Sequence, residues 1–137
     1  MGRVTGETDL GRLLAGLDPE LHDGVYVFAT LRDDVPGLDP IMVFAESEGR
    51  TVIARAEEAH RAGLGGVFPS AWITLRVHSS LEAVGLMAAV STALAEAGIS
   101  CNAVSAYHHD HLFVPYARAQ DALDVLHRLR SPRPRRG

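Results

Sequence analysis

Within the stretch AYHHDHLFVP, His108, His109, Asp110 and His111 follow one another directly. Imidazole nitrogens and a carboxylate oxygen are ordinary zinc ligands. In an extended chain alternate residues project to one side, so His109 and His111 could share an ion to which Asp110 adds an oxygen. Alternation sends His108 the other way, and a tight site needs three oriented ligands with outer partners that hold them. The run is therefore read as a polar hairpin turn, and no metal is assigned. A Ser/His/Asp hydrolase is set aside because no G-x-S-x-G elbow is present. Schiff-base chemistry and a phosphate-binding loop both need lysine, and all thirteen basic side chains are arginine.

A second candidate is His78-Ser79-Ser80, between a strand and a helix. Free N–H groups and the positive end of a helix dipole meet at such a point and suit a carboxylate. Ser79 and Glu82 have the S-x-x-E spacing of a capping box, which alone would account for the serine. Gly85 falls inside the expected helix, where glycine costs about 1 kcal/mol relative to alanine. Its missing side chain points to close approach by a ligand or by a second helix. Cys101, the single cysteine, sits among apolar neighbours and reads as a buried small hydrophobe.

The elements that must position these residues follow from periodicity. TDLGRLLAGL is a short helix capped by Thr8 or Asp9, and GVYVFATL is a strand. IMVFAESEGRTVIA is a hairpin turning at Gly49, followed by a helix over RAEEAHRAG. SAWITLRV alternates as a half-buried strand, with Ile73, Leu75 and Val77 on one face and Trp72, Thr74 and Arg76 on the other. The helix from Ser79 carries Ala83, Met87, Val90, Leu94 and Ala97 on one stripe and stops at Gly98. CNAVSAY and HLFVPY are strands joined through the histidines, and ARAQDALDVLHRL is an amphipathic helix.

Sliding residues 41–62 onto 102–123 superimposes one hairpin and helix on the other. The fold class expected is α+β: two ferredoxin-like βαββαβ units, an antiparallel sheet with helices on one face. Residues 1–66 form the first unit, 67–130 the second, and 131–137 a flexible basic tail. The second unit lacks its final strand, which a neighbouring unit must supply.

Composition narrows the function. With 47% hydrophobic residues in 137, the chain can bury one core or two small units sharing one. Formal net charge is −4, and Arg133, Arg135 and Arg136 lie at the very end, leaving the rest more acidic still. Nucleic acid is a poor partner for such a surface. No long apolar run and no export signal is evident, so a cytoplasmic protein without membrane contact is expected.

GLMAAVSTALAEAGISCNAVSAYHHDHLFVP, continued by ARAQDALDVLHRL, resembles an ACT domain, the small amino-acid-sensing module of allosteric enzymes. The likeness is strongest to the paired regulatory domains of aspartate kinases, and the whole chain resembles small bacterial proteins of two ACT-like units. The resemblance implies a non-catalytic regulatory protein that binds an amino acid, needs no cofactor, forms a homodimer and acts on a regulated partner protein. It maps the ligand onto Ser79, Ser80, Leu81, Glu82 and Gly85, with Ile99, Ser100 and Asn102 at a neighbouring strand start. Glu82 would receive the ligand's ammonium group. Where many ACT domains have a Pro-Gly pair, this chain has Ser79-Ser80-Leu81 and reaches its glycine at Gly85. The alternatives are a ligand-free interaction module using Trp72 and Arg76, and a metal-binding protein using His109 and His111.

Overall fold

The computed structural model describes residues 6–130. The proposed tail at 131–137 lies outside them. Helix α1 (Leu10–Ala15) opens the chain, with the Asp9 carboxylate accepting from the Arg12 N–H at its start. Strands β1 (Pro19–Leu21), β2 (Tyr26–Leu31), β3 (Met42–Glu46) and β4 (Gly49–Arg55) follow, then helix α2 (Ala56–Arg61). Strand β5 (Val67–Leu75) leads to helix α3 (Leu86–Glu96), the β6 (Asn102–Ser105) and β7 (Asp110–Pro115) hairpin, a 3₁₀ turn, and helix α4 (Ala119–Arg130).

All strands join one antiparallel sheet in the order β3-β4-β2-β5-β7-β6. Strand β1 pairs with the second half of β5, on the edge where β2 takes the first half. This arrangement answers the missing strand. Around β5 the second unit has the order β6-β7-β5, and the place of its fourth strand is filled by β1 and β2 from the first half of the same chain. Conversely, β5 closes the first unit, β3-β4-β2-β5. The two units thus share a two-strand seam.

Alternation along β5 divides the interior. Ala71, Ile73 and Leu75 join Leu112 and Val114 against Leu13, Val90, Leu94, Ala122 and Leu126 of the helices, all almost wholly buried. Each such aliphatic side chain stabilises the fold by about 1.5–3 kcal/mol. On the opposite face Trp72, Phe113, Tyr26, Phe28, Phe68 and Ile53 form a second cluster, joined by Met42 and Val104. Ile41 and Met42 at one sheet edge, and Val104 and Ala106 at the other, line a common groove of about 180 Å³ floored by Trp72, His111 and Phe113. The sheet therefore curls until its two edges face each other.

Two expectations are corrected, on the strand from residue 70 and on the long helix. The strand expected from residue 70 begins at Val67, and it is not half-buried: Thr74 is 1% exposed on the face assigned to solvent. Strand β1 and its pairing lack the alternation that would announce them. The most buried residues of α4 are Ala122, Val125 and Leu126, with Ala119 and Leu123 packed against the same core, as an amphipathic helix requires. The long helix does not start at Ser79, for a tertiary reason: Glu7 donates its N–H to the His78 carbonyl and accepts from the Ser80 N–H, both at 2.9 Å. That short parallel bridge holds Ser79 extended, and the helix is delayed until after Gly85.

Candidate ligand-binding site

Between the end of β5 and the start of α3 the chain runs through Ser79, Ser80 and Leu81 and turns at Gly85 into the helix. Gly85 has φ +98, a left-handed backbone that side chains resist. A Cβ there would also lie 3.3 Å from Leu10 of α1. Gly85 is thus the residue before the helix and not an interior position, and the element approaching it is another helix. Having no side chain, it offers no cap. The N–H groups of Leu86, Met87 and Ala88, which an α-helix leaves without internal partners, open onto a cleft.

The cleft has a volume of about 240 Å³ and its far wall is Ser105 and Asp110. Asp110 was expected at an exposed hairpin tip; it is 6% exposed, because it starts β7 paired with both Ser105 and Leu75. Ser105 donates to its Oδ1 at 2.6 Å and Ser79 to its Oδ2 at 3.3 Å. Among the described residues no arginine or lysine forms an ion pair with it. A buried carboxylate held only by two hydroxyls is poorly compensated and favours a cation beside it. The cleft therefore offers an anion site at the helix start and a cation site at Asp110.

Ser79, Ser80, Leu81 and Gly85 all line this cleft. Glu82 does not; it is exposed, and its N–H donates to the Ser80 Oγ at 3.1 Å, a local turn where a capping box was expected. Ile99 is buried in the main core, while Ser100 and Asn102 are exposed beyond the far end of α3. Sequence reasoning missed Asp110 as a cleft residue, and also Ser105 and the strap at Gly6 and Glu7. Gly6 has φ +89, and a Cβ on it would stand 2.7 Å from the Ser80 nitrogen.

His108 and His109 lie in the turn closed by the Ala106 N–H on the His109 carbonyl. His111 faces the aromatic side, 6.5 Å between ring centroids from His109. Among the described residues no three His, Cys, Asp or Glu side chains gather to hold a metal ion. Burial pushes the Cys101 thiol up to about 11, away from reactivity at neutral pH. No helix among the described residues is long and apolar enough to cross a membrane.

Comparison with known proteins agrees with this geometry. The ACT domain family matches twice, over residues 5–71 and 67–128, and the matches overlap in β5, the strand both units use. Among solved structures the chain is similar to a Vibrio cholerae protein of unknown function described as a possible transport protein. Identity is 46%, over 88% of this chain and 95% of that one, with a TM-score of 0.80. An Agrobacterium tumefaciens protein is 16% identical over 83% of this chain and 89% of its own, with a TM-score of 0.64. The ligand-free regulatory subunit of aspartate kinase from Thermus thermophilus is 16% identical over 83% and 98%, with a TM-score of 0.56. The last two likenesses bear on fold alone. No curated protein matches. The ACT domain is a non-catalytic regulatory fold, and with two such units spanning nearly its whole length, this chain belongs to the ACT domain family.

Proposed function

We propose that the chain is a regulatory module that binds a free α-amino acid in the cleft at the start of α3. The N–H groups of Leu86, Met87 and Ala88 take the ligand's carboxylate, aided by the helix dipole. Asp110 takes its ammonium group. The observation that carries this reading is the pairing, in one cleft of about 240 Å³, of an uncapped helix start with a buried carboxylate that has no cationic partner among the described residues. Together they offer one group for each charge of a zwitterion. Membership of the ACT domain family supports a regulatory role, with a regulated partner protein as the target.

Binding can signal only if the ligand favours one arrangement over another. In this reading a second copy of the chain brings the exposed Ser100 and Asn102 to the cleft, and the ligand stabilises that homodimer. The test is a thermal-shift screen of the twenty amino acids. We expect selective stabilisation, lost in Asp110→Asn, which keeps the shape and removes the charge, and lost in Ser80→Asp, which puts a negative charge beside the helix start. A screen in which no amino acid raises the melting temperature, or an Asp110→Asn protein that responds like the parent, overturns the assignment.

A further inference from the structure

On the aromatic face of the sheet, strands β5 and β7 and the segment after β1 are joined by side-chain hydrogen bonds. His22, in the break between β1 and β2, lies with its Nε2 2.7 Å from the Thr74 Oγ1 on β5. Thr74 Oγ1 is 3.0 Å from the His111 Nδ1 on β7, and the Trp72 indole N–H donates to that same Nδ1 at 3.0 Å. The His22 ring stacks on Trp72 with centroids 3.6 Å apart and planes 10° from parallel.

An indole nitrogen can only donate, so His111 Nδ1 carries its lone pair, and the His111 proton sits on Nε2. That fixes one end of the network. The Thr74 hydroxyl both donates and accepts, so it can stand between His111 and His22 in either direction.

Protonation acts differently at the two ends. A cationic His22 still donates through Nε2, and its Nδ1 lies 3.9 Å from a Glu20 carboxylate oxygen that would welcome the charge. A cationic His111 presents an N–H to the donor-only Trp72 N–H, and that contact is lost, whereas the Thr74 hydroxyl can turn and accept from it. We propose that His111 is an acid-released latch on Trp72: neutral, it accepts the indole N–H and holds it to β7; protonated, it presents a second donor and frees the indole.

The surroundings agree with a group held neutral. Burial is the first cause keeping His111 below its ordinary value, then the positive charges of His109, His22 and Arg76, against the opposing charge of Asp110. His22 is lowered chiefly by burial and also by Arg76, with Glu20 and Asp23 opposing. Arg76 is itself paired with Glu20.

Trp72 is the only tryptophan, so its fluorescence reads the latch directly. Emission is followed from about pH 8 to about pH 5, with far-UV circular dichroism to confirm that the fold persists. We expect a red shift with its midpoint below the ordinary histidine value of 6.5. In His111→Asn the amide oxygen can replace Nδ1 as acceptor and does not titrate, so the shift should vanish. In His22→Gln the side-chain amide can replace Nε2 as the partner of Thr74, so the shift should remain. A parent protein with flat emission, a shift that survives His111→Asn, or one lost in His22→Gln overturns the proposal. Should His111→Asn fail to fold, ¹⁵N shifts of the parent imidazoles decide: His111 must show the Nε2–H tautomer near pH 7.5, and the Nδ1–H tautomer overturns it.

Discussion

The two halves of the chain share a strand order but differ where the second half carries the cleft at the start of α3. After β5, residues 76–85 lead into α3, whose open start makes one wall of the cleft. After β2, residues 32–41 reach β3 with no helix between. The hairpins differ correspondingly. Ser105 and Asp110 close the second one, whereas Glu46 and Gly49 close the first, so Gly49 stands where Asp110 would be. The first half thus lacks both the anion site and the cation site. A duplicated fold supplies a second unit and a seam without repeating the pairing of an open helix start with Asp110.

Placing the acid in the first half is the hardest blow to that contrast. Gly49 has φ +148, and a Cβ there would stand 2.9 Å from both the Leu31 carbonyl oxygen and the Thr30 Oγ1. Gly49→Asp should therefore lower stability by about 2–4 kcal/mol, measured by urea unfolding, and create no new binding. Stoichiometry above one ligand per chain in calorimetry would show that the halves are more alike than their backbones indicate.

Gly85→Ala tests the second half with a smaller effect, about 1–3 kcal/mol, because the left-handed backbone resists a side chain. Two causes can be separated here. If crowding against Leu10 at 3.3 Å were dominant, Leu10→Ala would rescue it. We expect the double variant to stay as unstable as Gly85→Ala or fall further, since the strain is in φ and Leu10 also makes apolar contact. A recovered unfolding midpoint would assign the cost to crowding instead.

The seam between the halves adds a dependence on pH. His22 and His111 are both held below 6.5 in the folded state, so on acidification the unfolded chain takes up protons first. Stability is then level above about pH 7 and declines as pH falls through 6.5 toward the folded values. Unfolding measured at several pH values should show that decline in the parent and less of it in His111→Asn. An equal slope in both would place the responsible group elsewhere.

These contrasts also explain what could be read before the structure. The 41–54 hairpin, the stop at Gly98 and the absent last strand are local or counting features, and periodicity carries them. Asp110 is different. Its burial depends on Ser79, thirty-one positions earlier, and on Leu75 across the strand pair, and nothing in HHDH announces either. The S-x-x-E pattern at Ser79 misled for the same reason. A capping box is a local preference of about 1 kcal/mol, and the strap at Glu7, with Gly6 pressed against the Ser80 backbone, outweighs it. Likewise, Trp72 and Thr74 alternate as a solvent face should, but the curl of the sheet covers them.

The smallest effect bears on whether one chain completes the cleft. Asn102 is exposed at the start of β6, beyond the end of α3, while the cleft lies at the helix start about 16 Å away along its axis. Within one chain its side chain has no route to a ligand there, so Asn102→Ala should leave the unfolding free energy within about 0.5 kcal/mol of the parent. If a second copy brings Asn102 to the ligand, one hydrogen bond is lost, and affinity should fall by about 1 kcal/mol, roughly fivefold. Because that contact exists only in the dimer, the fall should shrink as protein is diluted below the association range, a signature that sedimentation and calorimetry on the same samples can resolve. We expect the concentration-dependent loss; affinity unchanged at every dilution would make the second half self-sufficient, with the first serving only as its structural support.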